Sequence, residues 1–133
     1  MLRLALAVWA LPALAAAGSE EPIGAEGFRA LAEGWTLHFE REGRHFGSEQ
    51  YLEGGRSIWR AGDAECERGL WYEADGAICF IYETVPLPQC WHVFRRDGEI
   101  FARPVDDPDG RAELRLSGRD RAPLACPGPS LGV

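Results

Sequence analysis

The chain has 133 residues, of which 46% are hydrophobic, 11% aromatic and 26% charged, the composition of a single folded domain rather than of a disordered segment. Fourteen basic residues against 21 acidic ones leave a net charge of −7, which argues against nucleic acid and anionic membrane as partners. Every basic residue is Arg, and Lys and Asn are absent, so lysine-based catalysis, a P-loop lysine and an N-linked glycan are excluded.

Residues 1–17 read as a secretory signal peptide: Arg3 supplies the positive start, residues 4–14 an apolar run, and Ala15-Ala16-Ala17 the small residues before cleavage. A membrane anchor would need about 20 apolar residues, and this run stops at Gly18-Ser19-Glu20-Glu21. Cleavage after Ala17 leaves 116 residues and a charge of −8, and predicts a periplasmic or secreted protein. All four cysteines, Cys66, Cys79, Cys90 and Cys126, fall in that part. An even count in a small exported domain reads as two disulfides. Their spacings of 13, 11 and 36 residues lack the close pairs of a zinc site.

An acidic leader, read as solvated, precedes a short helix predicted over residues 25–33. There Phe28, Leu31 and Ala32 form one apolar stripe, and Gly34 ends it. From residue 34 to 116 glycine recurs between short apolar segments, the pattern of an antiparallel meander. Strands are expected at residues 35–39, 47–53, 56–60, 67–73, 77–82, 87–95, 99–103 and 111–116. Asp75-Gly76 and Asp97-Gly98 are type I′ hairpin loops, and Gly54-Gly55 is assigned the same role. About eight hairpin-linked strands must hide their edges, so the fold class expected is all-β: an up-and-down barrel with one short helix. Residues 117–133, rich in Pro and Gly, are expected to be an irregular tail.

Gly34-Trp35-Thr36-Leu37, Cys66-x-x-Gly69-x-Trp71, Cys79-Phe80-x-Tyr82, Cys90-Trp91 and the tail's Cys126-Pro127-Gly128-Pro129 resemble small exported bacterial proteins of unassigned function. The resemblance implies a lipocalin- or avidin-like barrel and brings no catalytic residues with it.

Searched for chemistry, the chain offers little. His38 and His45 could approach each other across the first hairpin, with His92 some strands away, which falls short of a metal site. None of its serines lies in a nucleophile elbow. Glu49, Glu53, Glu65 and Glu67 read as outer-face solvation, and the Asp106-Asp107-Pro108-Asp109-Gly110 run as a turn. The nearest polar set for an enzyme is His38, His45 and Glu49. The expectation is therefore a non-enzymatic, monomeric module without cofactor or metal. The aromatics Trp35, Trp59, Trp71, Phe80 and Trp91 would line a ligand cavity, although eight short strands are expected to enclose little volume and to pack solid. The competing reading is an inhibitor of an exported protease that inserts residues 18–25 into a cleft.

The disulfide pairing follows from register. Asp75-Gly76 sets Ala74 opposite Ala77 and Cys79 opposite Tyr72, leaving Cys66 about 20 Å from the position facing Cys79. A disulfide needs Cα atoms about 4.4–6.8 Å apart. A loop at residues 83–86 would pair Tyr82 with Leu87 and set Cys79 against Cys90, whereas a loop extending to Pro88 would move that register and weaken the pair. Cys66 is then left for Cys126, which would bolt the tail to the barrel.

Overall fold

The computed structural model describes Pro12 and residues 18–128. The expected signal peptide, Pro12 apart, and residues 129–133 lie outside the described residues. The described residues form one α-helix, α1 (Ala25–Ala32), and nine strands: β1 (Glu21–Pro22), β2 (Thr36–Arg41), β3 (Arg44–Tyr51), β4 (Arg56–Ala61), β5 (Glu67–Ala74), β6 (Ala77–Tyr82), β7 (Val85–Arg96), β8 (Glu99–Pro104) and β9 (Leu114–Asp120). Strands β2 to β9 pair in sequence order, and β2 pairs with β9, so eight antiparallel strands close into an up-and-down barrel. Closure leaves no free edge among them. No helix among the described residues is long and apolar enough to cross a membrane.

The ninth strand corrects the reading of the leader. β7 has twelve residues and β6 only six, so β7 outruns its neighbour. β1 takes up the spare edge, with Glu21 opposite Arg95 and Pro22 opposite Phe94. Ile23 N–H then donates to Val93 O at 2.8 Å. Glu20 sits between Arg103 and Arg96, and the Arg103 hydrogen bond holds its carboxyl below the usual carboxylate range. The segment is exposed, as expected of the leader, but it is also strapped to the barrel by this pairing and by the Glu20 ion pairs.

Helix α1 closes one end. Phe28 and Ala32 are its buried residues, and Phe28 meets Trp71, Tyr51 and Phe80 edge-on at 5.0, 5.4 and 6.3 Å between centroids. The helix N-terminus needs acceptors for its free N–H groups, and Glu73 at the end of β5 accepts from Ala25 N–H at 2.9 Å.

Asp75-Gly76 and Asp97-Gly98 form the expected loops, and Glu42-Gly43 makes a third of the same backbone shape. Gly54-Gly55 does not. It belongs to a 3₁₀ turn, Glu53–Gly55, closed by Leu52 N–H donating to Arg56 O. The β6–β7 loop is Glu83-Thr84 alone, with Tyr82 opposite Val85 rather than Leu87. An irregularity between Phe80 and Tyr82 then restores the register, so Cys79 still faces Cys90. Both disulfides form as derived, Cys79–Cys90 and Cys66–Cys126.

The last strand also differs from its prediction. Asp107 accepts from Ala112 N–H at 2.6 Å and folds residues 107–112 into a turn, so pairing starts only at Leu114. β9 runs on to Asp120, which makes residues 117–120 barrel wall and not tail. The tail proper crosses the outside of β2, β3 and β4. Ala122 O accepts from Thr36 Oγ1 at 2.6 Å, Gln50 Oε1 accepts from Leu124 N–H at 2.9 Å, and Ala125 O accepts from Arg60 at 3.2 Å. The Cys66–Cys126 bond fastens its end.

Candidate functional site

The barrel is hollow. A cavity of about 320 Å³ lies within it, inside the range of small-molecule sites, where a packed interior was expected. The space survives because the inner wall places glycines beneath large rings. A Cβ on Gly47 would come within 2.3 Å of the Trp59 indole, and one on Gly69 within 2.7 Å of the Tyr82 ring. Each ring takes up the space that a side chain at the glycine would occupy.

The cavity wall can be followed along the strands. Near α1 it is Phe28, Leu37, Tyr51 and Phe80; farther along it carries Phe39, Glu49, Trp59, Tyr82 and Trp91. The far ends of β2, β3, β4 and β5 add Arg41, Phe46, Ala61 and Glu67. Of the five aromatics predicted as lining, Trp59, Phe80 and Trp91 do line it. Trp71 is instead core under the helix, with the Arg29 guanidinium 4.7 Å above its ring. Trp35 does not line it either: it is half-buried against the core and covered by Arg119 and Arg121 at 4.0 and 3.8 Å.

The polar centre of this wall was not foreseen. Glu49 was read as a solvated outer residue, yet it is 3% exposed and faces inward. Tyr51 donates its hydroxyl to Oε2 at 3.0 Å and Tyr82 donates to Oε1 at 2.9 Å. Burial pushes the Glu49 carboxyl from 4.5 up to about 7, against the opposing pull of the Ser57, Tyr82 and Tyr51 hydroxyls. Ser57 Oγ acts here by proximity, because it makes no hydrogen bond of ordinary geometry. Burial and the adjacent carboxylate push both tyrosines above their ordinary range, so they stay protonated as donors. Among the described residues no cation stands within ion-pair distance of Glu49.

The reason for the inward turn is one residue. A regular hairpin from Glu42-Gly43 would pair Leu37 with Ser48 and point Glu49 outward. The register shifts between Phe39 and Glu40, leaving Phe46 as the extra residue, so Leu37 pairs with Glu49 and His38 with Ser48. A single-residue bulge exchanges the two faces of a strand. The available signal was parity, since Glu49 and Tyr51 must share a face.

The same bulge builds a second constellation on the outer wall. His38 Nε2 lies 2.6 Å from Asp120 Oδ2, and Nδ1 lies 2.7 Å from Ser48 Oγ. Asp120 accepts from Nε2–H, and in the neutral ring with that tautomer Nδ1 accepts from Ser48. His38 and His45 do line one groove of about 230 Å³ between wall and tail, while Glu49 is on the other side of the wall. His38, His45 and Glu49 therefore do not converge. The Ser48–His38–Asp120 order suits proton transfer, but Ser48 is only 6% exposed. Arg60, the groove's cation, already donates to the carbonyls of Asp63, Ala64 and Ala125. This network clasps the tail. No known protein family, no curated protein and no solved structure matches the chain.

Proposed function

We propose that the chain is an exported, non-enzymatic, monomeric module whose barrel holds a small, largely apolar ligand. The observation that carries this reading is the aromatic lumen of about 320 Å³ with one satisfied polar centre, Glu49 with Tyr51 and Tyr82. A pocket of mainly apolar wall with few, fixed polar groups orients a ligand by those groups and binds it by area. Export rests on the signal-peptide reading of residues 1–17 and on the two disulfides, which persist in oxidising compartments. The motif resemblance to small exported proteins with lipocalin-like barrels points the same way.

The test uses the full chain purified from its own compartment. Native mass spectrometry should find a copurified small molecule, and a panel of hydrophobic compounds should shift the Trp fluorescence, because Trp59 and Trp91 stand in the wall. A ligand-free spectrum together with fluorescence that ignores the whole panel would overturn the reading.

A further inference from the structure

The lumen keeps one carboxylate out of water and gives it no cation. Glu20, Glu40 and Glu113 each meet an Arg; Glu49, the most buried carboxylate, meets only hydroxyls. A buried charge costs several kcal/mol unless it is paired, so ionised Glu49, held by two tyrosine hydroxyls, gains from a cation brought against it. The surroundings suit a cation. Trp59 stands directly opposite Glu49 on β4, and Tyr82, Phe39 and Trp91 complete an aromatic enclosure, whose ring faces attract positive charge. The other charged groups lining the cavity are Arg41 from β2 and Glu67 from β5, so with Glu49 ionised the lumen carries a net charge of −1.

Resting on the lumen-binding reading above, we propose that the ligand is an organic amine, its ammonium group against Glu49 and its apolar body between Trp59 and Trp91. Arg41 sets the orientation. Leu37 lies opposite Glu49, and Arg41 follows four residues later on β2, about 13 Å along the strand. The Arg41 guanidinium lies 4.2 Å over the Phe46 ring, and its buried Nε donates to nothing among the described residues. An acceptor group at the outer end of the ligand fits that donor, whereas an ammonium placed there would face a like charge. Below about pH 7 Glu49 holds a proton, and amine binding releases it, leaving a carboxylate–ammonium pair.

Octylamine, octanol and octanoate, matched in chain length, separate the possibilities by calorimetry and Trp fluorescence on the full chain. At about pH 8 octylamine should bind at least about tenfold tighter than octanol, with octanoate weakest. Near pH 5.5 the amine's advantage should fall at least about fivefold, because Glu49 is then protonated. Glu49→Gln should bring octylamine down to the octanol value and leave octanol unchanged, with circular dichroism confirming the fold. If that variant does not fold, the pH dependence of the unaltered protein decides. Octanol or octanoate binding as tightly as octylamine would overturn the amine assignment while leaving the lumen reading intact. No binding by these three or by the wider panel would overturn both.

Discussion

Glu49 and Asp120 are both hydrogen-bonded carboxylates, and the barrel wall separates them. Asp120, on the outside, meets His38, and that hydrogen bond, with one from Ala122 N–H, holds its carboxyl below 3.8. Glu49, on the inside, meets two tyrosines, yet its carboxyl rises to about 7. Each carboxylate accepts good hydrogen bonds, so bond count does not explain the difference. Water does: outside, solvent and a basic partner favour the ionised form, while inside, desolvation outweighs neutral donors. Ser48 and Glu49 are consecutive residues: the strand's pleat sends them to opposite sides, and the bulge decides which goes inward.

The outer region depends on the tail, and breaking its anchor should have the largest effect. Replacing Cys66 and Cys126 by Ser opens a crosslink spanning 60 residues and should remove about 4 kcal/mol in the chain-entropy view. Urea denaturation measures it, and the hydrogen-bonded tail amides of Ala122 and Leu124 should lose hydrogen-exchange protection while the lumen keeps its ligand response.

The inner region should respond in the opposite sense. An acid whose folded pKa is raised binds its proton more tightly when folded, so Glu49 lowers stability as pH climbs from 4.5 to about 7. The full difference corresponds to about 3 kcal/mol. Glu49→Gln should therefore be more stable than the unaltered protein at about pH 8, by about 2–3 kcal/mol. The two should converge near pH 4.5, and denaturation midpoints across that range check it.

The hollow itself can be broken from the wall. Gly47→Ala puts a methyl into the Trp59 ring, which should cost about 1–3 kcal/mol, change the Trp emission and weaken every lumen probe together. The smallest effect belongs to Asp120→Asn. Asp120's lowered carboxyl adds stability above 3.8 that is lost as pH falls through its folded value, the reverse of Glu49's slope. The variant should lose only that contribution, seen as denaturation midpoints that drop less steeply on acidification, with the lumen unaffected.

Much of the scaffold was legible because its determinants are local. Asp75-Gly76 and Asp97-Gly98 name their own backbone shape, and the alternating strands between them fix which residues pair. The Cys79–Cys90 bond came out of that register even though the assumed four-residue loop is a two-residue one, because an irregularity in the pairing cancels the difference. The lumen was not legible for the same reason reversed. Glu49 turns inward through a bulge at Phe46, and nothing in Gly47-Ser48-Glu49 announces an inner face. Whether aromatics fill a barrel or frame a space depends on what lies under each ring, and Gly47 and Gly69 read as punctuation until Trp59 and Tyr82 are seen above them. Ser48, His38 and Asp120 meet through three strands, beyond the reach of sequence spacing.

The most direct test is to follow the side-chain carboxyl carbons of ¹³C-labelled Glu by NMR from about pH 3 to about pH 9. One resonance, absent from Glu49→Gln, should titrate near 7 and move to lower pH when octylamine is added. Every Glu titrating in the ordinary range near 4.5, with no response to the amine, would contradict a desolvated, ligand-facing Glu49.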